Sequence, residues 1–309
     1  MARKILLVQF THPGGEHVLT RQELKDCIKQ WNYGPHRRKF LKAEGQYVKS
    51  EGTLSTVQEL LFWGEWEPTS KASPVSSTVG IGVMPRYVHV PFLQGSSSGL
   101  ILPPITNSKG IGRQNTDPFV FGKSFLYSCC KQRKRIKNST LSRFTQLGGL
   151  EKGSIILFGS TISPKQGGSY FVLDTVFVVG DYRVFENYTA TTDLGGYVPR
   201  EYYDIMGFKD WPQNNKYVCY KGATVNNSVD GMFSFVPCRP CTSGMVGFPR
   251  VKLTSKDFVF LSDNLNASPK FVDPKSNALF SPKDCWDRIC TIVKRQGFEL
   301  GVNFSYLLI

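Results

Sequence analysis

Two short apolar runs in the first third of the chain predict buried β-strands. Residues 5–8 form a continuous apolar run, which is typical of a strand buried on both faces. The run ends at residues 11–15, where one proline and two glycines prevent the strand from continuing. Residues 60–63 form a second run of this kind. We therefore expect two buried strands, each followed by a change in chain direction.

Helical patterns are expected at two places. Residues 19–31 carry apolar side chains at helical spacing, and Thr20 with Glu23 forms the pattern of a capping box. Ser281 followed by Pro282 predicts the start of a final helix, whose buried stripe includes Cys285 and Ile289.

The second half of the chain has a β-rich pattern. Residues 155–158 and 170–179 are apolar runs that predict a strand pair. This part resembles the small β-barrels of the PUA-like kind, some of which hold a flipped or modified base in an aromatic pocket. We expect an α/β or α+β fold, with an α/β region over residues 1–140 that carries the site. Residues 141–309 are expected to form a β-rich region, PUA-like or otherwise, with a C-terminal helix. The two regions can also form one continuous domain.

The charge balance favours an anionic partner. The 309 residues include 38 Lys and Arg against 24 Asp and Glu, which gives a formal net charge of +14. Nucleic acid is the first candidate for such a basic protein, with DNA ahead of RNA. The alternative is a basic surface without a nucleic-acid role.

Two segments concentrate these cations. One follows Gly34-Pro35 and has aromatic residues on both sides, and the other contains five cations within residues 131–137. Basic side chains can neutralise phosphates, and aromatic rings can stack on bases. The alternative for the first segment is a solvated loop pinned by its aromatic residues. The predicted nucleic-acid contacts are Trp31, Tyr33, His36, Arg37, Arg38, Lys39, Trp63, Trp66, Lys131, Arg133, Lys134, Arg135 and Lys137.

The sequence predicts a cytoplasmic protein without a membrane partner. The N-terminus has no small-residue cleavage site after its short apolar run, and no apolar stretch approaches the ~18 residues needed to span a bilayer. The eight cysteines are too sparse for a disulfide scaffold.

Candidate catalytic groups lie directly after the two predicted strands. His12, Glu16 and His17 occupy the turn after the first strand, and Glu65 and Glu67 alternate with tryptophans after the second. Burial against an indole raises the pKa of a carboxyl group toward the range of a general acid or base. The alternative is simple alternation, with the glutamates directed to solvent. Asp117 precedes a proline, which predicts either a turn cap or a further catalytic carboxylate.

A metal site is a secondary possibility, and we expect no cofactor. The histidines lack the i, i+4 helical pairing of zinc proteases. Cys238 and Cys241 form a lone CxxC pair, which is weak evidence for zinc. Phosphate-binding glycine motifs are absent from the sequence.

These groups favour metal-free acid–base hydrolysis, and a glycosidic bond fits them best. The segment VQFTHPG, residues 8–14, resembles the first motif of the uracil-DNA-glycosylase superfamily, where the first strand runs into Asn/Asp-Pro-Gly. His12 stands where that family has Asn or an acid, and the family's later His-Pro-Ser motif is absent. We therefore predict a hydrolase that cleaves the glycosidic bond of a modified or unusual base. The alternatives are a non-catalytic PUA-like reader of modified nucleic acid and a metal-dependent nuclease.

Overall fold

The protein is built mainly from β-strands, with 44% strand and 15% helix. A computed structural model describes residues 5–12, 14–32, 36–75, 84–96, 99–100, 115–139, 141–166, 168–186, 189–208, 215–241, 247–254, 256–257 and 281–309. The strands are β1 (Leu7–Thr11), β2 (Ile28–Lys29), β3 (Lys39–Val48), β4 (Gln58–Gly64), β5 (Ser70–Pro74), β6 (Tyr87–Leu93), β7 (Gly95–Ser96), β8 (Gly99–Leu100), β9 (Leu126–Tyr127), β10 (Arg133–Arg135), β11 (Ser142–Phe144), β12 (Ile155–Ile162), β13 (Tyr170–Glu186), β14 (Lys216–Gly222), β15 (Val236–Pro240), β16 (Val251–Leu253), β17 (Glu299–Val302) and β18 (Leu307–Leu308).

The described helices are few and mostly short. They are α1 (Arg21–Asp26), α2 (Ala190–Asp193), α3 (Arg200–Met206) and α4 (Pro282–Arg295), with a 3₁₀ turn at Gln146–Gly148. The predicted C-terminal helix is confirmed: Ser281 caps α4, and Cys285 and Ile289 are buried. The helix predicted over residues 19–31 is too long. Its capping box is present, but Cys27 adopts a left-handed conformation with φ 52° and ends α1, and β2 follows.

One sheet has the order β1-β12-β13-β14-β9, with β16 also paired to β13. Strand β1 is buried, as its apolar run predicts, and it runs parallel to β12 with Leu7 opposite Ile155. The other strands of this sheet pair antiparallel. The end of β1 therefore opens beside the middle of β12.

A second sheet closes on itself into a small barrel. Strands β3, β4, β15 and β17 form the closed ring, and β6, β5, β2 and β18 extend it. The ring takes two strands from the first 140 residues and two from the rest, so it is not a barrel of residues 141–309 alone. The N-terminal part is also strand-rich, with α1 as its one described helix, rather than an α/β region.

The segments after β1 and β4 meet where the two sheets pack. The apolar side chains of β1, β3, β4 and β12 share a core that includes Val8, Leu41, Phe62 and Phe158. This packing holds the polar ends of both strands at one place. Among the described helices, none has the length and apolar character needed to cross a lipid bilayer.

Candidate functional site

The backbone holds the two predicted site segments in fixed positions. Directly after β1, the His12 amide donates to the Gly159 carbonyl at 2.7 Å. Three residues after β4, the Glu67 amide donates to Thr116 Oγ1 at 3.0 Å. The Glu67 carbonyl accepts the Asn32 amide at 2.9 Å. Backbone hydrogen bonds therefore hold the segment after β1 and the segment after β4 against neighbouring parts of the chain.

Two histidines and two glutamates converge at this point. His12 Nδ1 lies 3.0 Å from Glu65 Oε2. His36 Nδ1 lies 3.2 Å from Glu65 Oε1 and 3.4 Å from Glu67 Oε1. The two imidazole rings stack with centroids 6.4 Å apart and an interplanar angle of 19°. We call these four residues the carboxylate–histidine cluster.

Both glutamates of the cluster are buried, while His36 reaches solvent. Glu65 is 3% exposed and Glu67 is fully buried, so alternation of these side chains toward water is wrong. The His36 side chain is 36% exposed. A ligand in solution therefore meets the cluster from the His36 side, with the carboxylates behind the ring.

A network of buried ion pairs holds Glu65 of the cluster in place. Arg38 Nη1 lies 2.5 Å from Glu65 Oε2, and Arg38 Nε lies 2.8 Å from Asp174 Oδ2. Arg250 Nη1 lies 3.4 Å from Asp174 Oδ1. Arg250 Nη2 also donates to the Gly14 carbonyl at 2.5 Å, on the turn that follows β1. The ion pairs thus fix both Glu65 and the loop beside His12.

The shifted pKa values of His36 and Glu65 give these two side chains opposite charges at neutral pH. Burial disfavours the charged form of His36, but the neighbouring Glu65 and Glu67 carboxylates outweigh it and raise its pKa to about 10. Burial also raises the pKa of Glu65, but the charges of Arg38 and His36 lower it below its usual value. Glu65 is therefore an ionised carboxylate at neutral pH, and the expectation that desolvation would raise its pKa is wrong.

Glu16 and His17 lie beside the cluster in other roles. The Glu16 carboxylate accepts the backbone amides of Arg86 and Tyr87 at 2.7 and 3.1 Å, and it pairs with the Arg86 side chain. Both carboxylate oxygens of Glu16 are thus engaged by Arg86 and Tyr87 at the start of β6. His17 Nε2 lies 4.0 Å from Glu67 Oε2. Burial and the nearby Lys39 lower the pKa of His17 to about 3, so its ring is neutral.

Asp117 has the geometry of a structural cap. Its carboxylate accepts three consecutive backbone amides, from Ser128, Cys129 and Cys130, at 2.8 to 3.1 Å. Burial raises the pKa of Asp117 to about 7, against the effect of those amides, and the charge of Glu65 adds to the rise. Asp117 is thus electrostatically linked to the cluster, while its oxygens are directed at the loop of residues 128–130.

Five residues predicted to contact nucleic acid are buried. Trp63 donates its indole N–H to the Phe248 carbonyl, and Trp66 donates to the Thr69 carbonyl. Lys39 donates to the Trp66 carbonyl, and Arg38 belongs to the buried ion pairs. The prediction of nucleic-acid contact is wrong for these residues because their side chains are buried; the buried set is Trp31, Arg38, Lys39, Trp63 and Trp66.

The remaining predicted contacts lie at the surface or outside the described residues. Arg37 is exposed beside His36, and Tyr33 lies outside the described residues. Strands β10 and β11 form an antiparallel hairpin that carries the second basic segment. The exposed cations of that segment are Lys131, Lys134, Arg135 and Lys137, with Arg133 half-buried. Lys131 Nζ donates to the Thr11 carbonyl at 2.7 Å, so the hairpin begins next to His12.

Two members of the charge network, Asp174 and Arg250, were not predicted as site residues. Asp174 interrupts an apolar run in β13, and a charge inside a buried strand is the signal that could have identified it. Arg250 lies in a short irregular segment before β16, and nothing in its sequence surroundings marks it. His36 was predicted as a nucleic-acid contact, although it lies within the cluster.

Three side chains of the cluster have the chemistry of metal ligands. One ligand atom from each of His36, Glu65 and Glu67 lies within 4.8 Å of the others. His36 Nδ1, Glu65 Oε1 and both Glu67 carboxylate oxygens are buried and make no hydrogen bond among the described residues. The close approach at His36 is therefore an attraction between charges rather than a well-formed hydrogen bond.

A separate cavity of about 490 Å³ opens between the barrel and the other sheet. Gln46, Lys123, Asn226 and Asn303 contribute to its lining. The residues of the carboxylate–histidine cluster line a different part of the molecule.

Comparison with known proteins gave no relative: no protein-family model, no curated protein and no solved structure matches this chain.

Proposed function

We propose that this protein is a hydrolase that acts on nucleic acid at the carboxylate–histidine cluster. The observation that carries the proposal is the position of His36, a half-exposed ring whose Nδ1 faces the buried carboxylates of Glu65 and Glu67 at 3.2 and 3.4 Å. A proton donor at the surface, backed by fixed negative charge, suits the cleavage of a bond whose transition state is a cation.

The bond that fits this arrangement best is the N-glycosidic bond of a modified or unusual base. The protonated His36 would donate its Nε2 proton to the leaving base as the bond from the sugar carbon to the base nitrogen breaks, and the bonding electron pair would stay on the base. The sugar would become an oxocarbenium ion, which the charges of Glu65 and Glu67 would stabilise. Water would then add to the sugar carbon and return a proton to His36.

The basic hairpin supports nucleic acid as the substrate. The sequence contains no Asp or Glu between residues 118 and 150, and seven Lys and Arg residues lie in that interval. Its cations include the exposed Lys134 and Arg135 on the hairpin, whose base is tied to Thr11 beside the cluster. A duplex held by these cations would pass close to His36. A base must leave the helical stack to reach such a site. The cytoplasmic location predicted from the sequence is part of this proposal.

The test is an assay of products on defined oligonucleotides. The purified protein would be incubated with DNA and RNA that contain modified or only unmodified bases, with and without EDTA. Release of a free base and formation of abasic sites supports the proposal. Strand cleavage that EDTA stops would identify a metal-dependent nuclease and overturn the glycosidic reaction. Binding without any product would identify a reader and overturn the hydrolase proposal.

Two variants make the assay specific for the cluster. Glu67→Gln removes a buried charge behind His36 and is expected to lower the rate at least about 100-fold, since a fixed charge at a cationic transition state contributes several kcal/mol. Glu59→Gln is the matched control, because Glu59 forms an exposed ion pair with Lys42 on the same strand, β4. Its rate should equal that of the unchanged protein.

A further inference from the structure

We propose that His36, Glu65 and Glu67 form a binding site for a divalent transition-metal cation. Beyond their mutual proximity, the decisive observation is Glu67, which is fully buried and has no hydrogen bond to either carboxylate oxygen. Its Oε1 faces His36, and its Oε2 lies 4.0 Å from His17 Nε2. A buried carboxylate is costly unless it is paired or binds a metal. Its nearest cationic partner among the described contacts is His36, at 3.4 Å.

The distances suit a small cation. Ligand atoms that bind Zn²⁺ at about 2.1 Å in a tetrahedral arrangement lie about 3.4 Å from one another. His36 Nδ1 lies 3.2 Å from Glu65 Oε1 and 3.4 Å from Glu67 Oε1. All three ligand atoms lie within 4.8 Å of one another, so a cation could enter between them with small shifts of the side chains, of which His36 is the most exposed.

Arg38 and His12 orient the Glu65 carboxylate so that one of its oxygens can bind a cation. Arg38 and His12 both contact Oε2 of Glu65, at 2.5 and 3.0 Å, which leaves Oε1 facing His36. Residues that contact a metal ligand in this way orient the ligand and increase the affinity of the site for the metal. Arg38 is held in turn by Asp174 at 2.8 Å. The second carboxylate oxygen of Glu65 is thus engaged by the protein, and the first is available.

The ligand set selects the kind of cation. One imidazole nitrogen with two carboxylates favours Mn²⁺, Co²⁺ or Zn²⁺ over Ca²⁺, which prefers six to eight oxygen ligands. Three protein ligands also leave a position open for water or substrate, as in catalytic zinc sites. The half-exposed face of His36 is where that position would meet solvent.

The cation would occupy the site of the proposed function, so it would regulate the hydrolysis proposed there. The cation would bind the Nδ1 lone pair of His36 and displace the proton there. The ring would then be neutral and could no longer act as the acid in glycosidic cleavage. We therefore expect added Mn²⁺ or Zn²⁺ to inhibit that reaction.

Direct binding tests the cation site without any nucleic acid. Protein stripped with EDTA and desalted would be titrated with Mn²⁺, with the free ion followed by electron paramagnetic resonance. Pulsed measurements would detect a ¹⁴N coupling from a ligating imidazole. One Mn²⁺ per chain, with a ¹⁴N coupling and displacement by Zn²⁺ but not by Ca²⁺, supports the site. No binding at about 1 mM Mn²⁺ overturns it.

Three variants locate the bound ion. His36→Gln should remove the ¹⁴N coupling, and Glu67→Gln should weaken binding at least about tenfold, as removal of a metal ligand does. His36 is half-exposed, so its variant keeps the test valid even when Glu67→Gln fails to fold. Glu59→Gln should bind as the unchanged protein does. Binding unaffected by both cluster variants would place the ion elsewhere and overturn the proposal.

The binding and activity results are independent of each other. Cation binding without base release would leave the site standing and remove the glycosidic function. Base release without cation binding would support the glycosidic function and remove the cation site.

Discussion

Arg38 and Glu65 form a buried ion pair in which Arg38 Nη1 lies 2.5 Å from Glu65 Oε2. The same guanidinium contacts Asp174 at 2.8 Å. One arginine therefore balances two buried carboxylates, one from the segment after β4 and one from the first part of β13. This contact joins the barrel to the other sheet and fixes the orientation of Glu65 in the cluster.

Arg38→Met is expected to destabilise the protein strongly. The substitution leaves Glu65 and Asp174 buried without their shared cation, and removing one partner of a buried pair lowers the free energy of unfolding by about 3–5 kcal/mol. Urea denaturation measures the change. Lys42→Met, which breaks the exposed pair with Glu59, should change stability by no more than about 1 kcal/mol. Adding Glu65→Gln to Arg38→Met should recover part of the loss, and no recovery would argue against the pair.

The sequence could predict the strands that carry the cluster but not every contact within it. The apolar runs of β1 and β4, and the polar residues directly after them, identify His12, Glu65 and Glu67 as neighbours of strand ends. Local patterns carry no information about which distant strands close a barrel. The burial of Arg38 and Lys39 was therefore missed, because a row of cations resembles a solvated loop unless its buried carboxylate partners are known.

The free energy of unfolding should depend on pH because His36 is protonated in the folded protein. The pKa of His36 is raised from 6.5 to about 10 in the folded protein. The folded state therefore holds a proton that the unfolded chain releases above pH 6.5, so this contribution is complete below pH 6.5 and decreases as the pH rises. Above pH 8 the effect is opposed by Lys39, whose pKa burial lowers to about 8. The informative window is therefore pH 6.5 to 8.

His36→Gln is the variant that isolates this effect. Chemical denaturation of both proteins in EDTA, at several pH values between 6.5 and 8, gives the difference in their free energies of unfolding. The excess stability of the unchanged protein over the variant should shrink steadily across this window. Asp117, with its pKa near 7, titrates in both proteins and largely cancels in the difference. A constant difference would contradict the raised pKa of His36.

Asp117→Asn distinguishes a cap from a catalytic carboxylate. The asparagine amide would place an N–H₂ group against backbone amides that now donate to Asp117, and one or more of those donors would lose its acceptor. We expect the free energy of unfolding to fall by about 1–3 kcal/mol. Exposed Asp26→Asn is the control for the same change in charge. If Asp117 is only structural, the rate of base release per folded molecule of the variant stays within a few-fold of the rate of the unchanged protein. A large loss of rate with normal stability would instead assign chemistry to Asp117.

The basic hairpin gives the sharpest test of nucleic-acid binding. Lys134→Glu combined with Arg135→Glu reverses two exposed charges on β10 and should weaken binding to a duplex. Each lost phosphate contact lowers the slope of log K against log salt by about 1, so the slope should fall by about 2. Fluorescence anisotropy at several salt concentrations measures affinity and slope together.

Lys25→Glu with Lys71→Glu makes the same change in net charge at exposed positions outside the hairpin. An equal loss of affinity in both double variants would mean that the overall charge, rather than the hairpin, attracts the nucleic acid. A loss confined to the hairpin variant would show that β10 holds the phosphates, on the hairpin whose Lys131 contacts the Thr11 carbonyl.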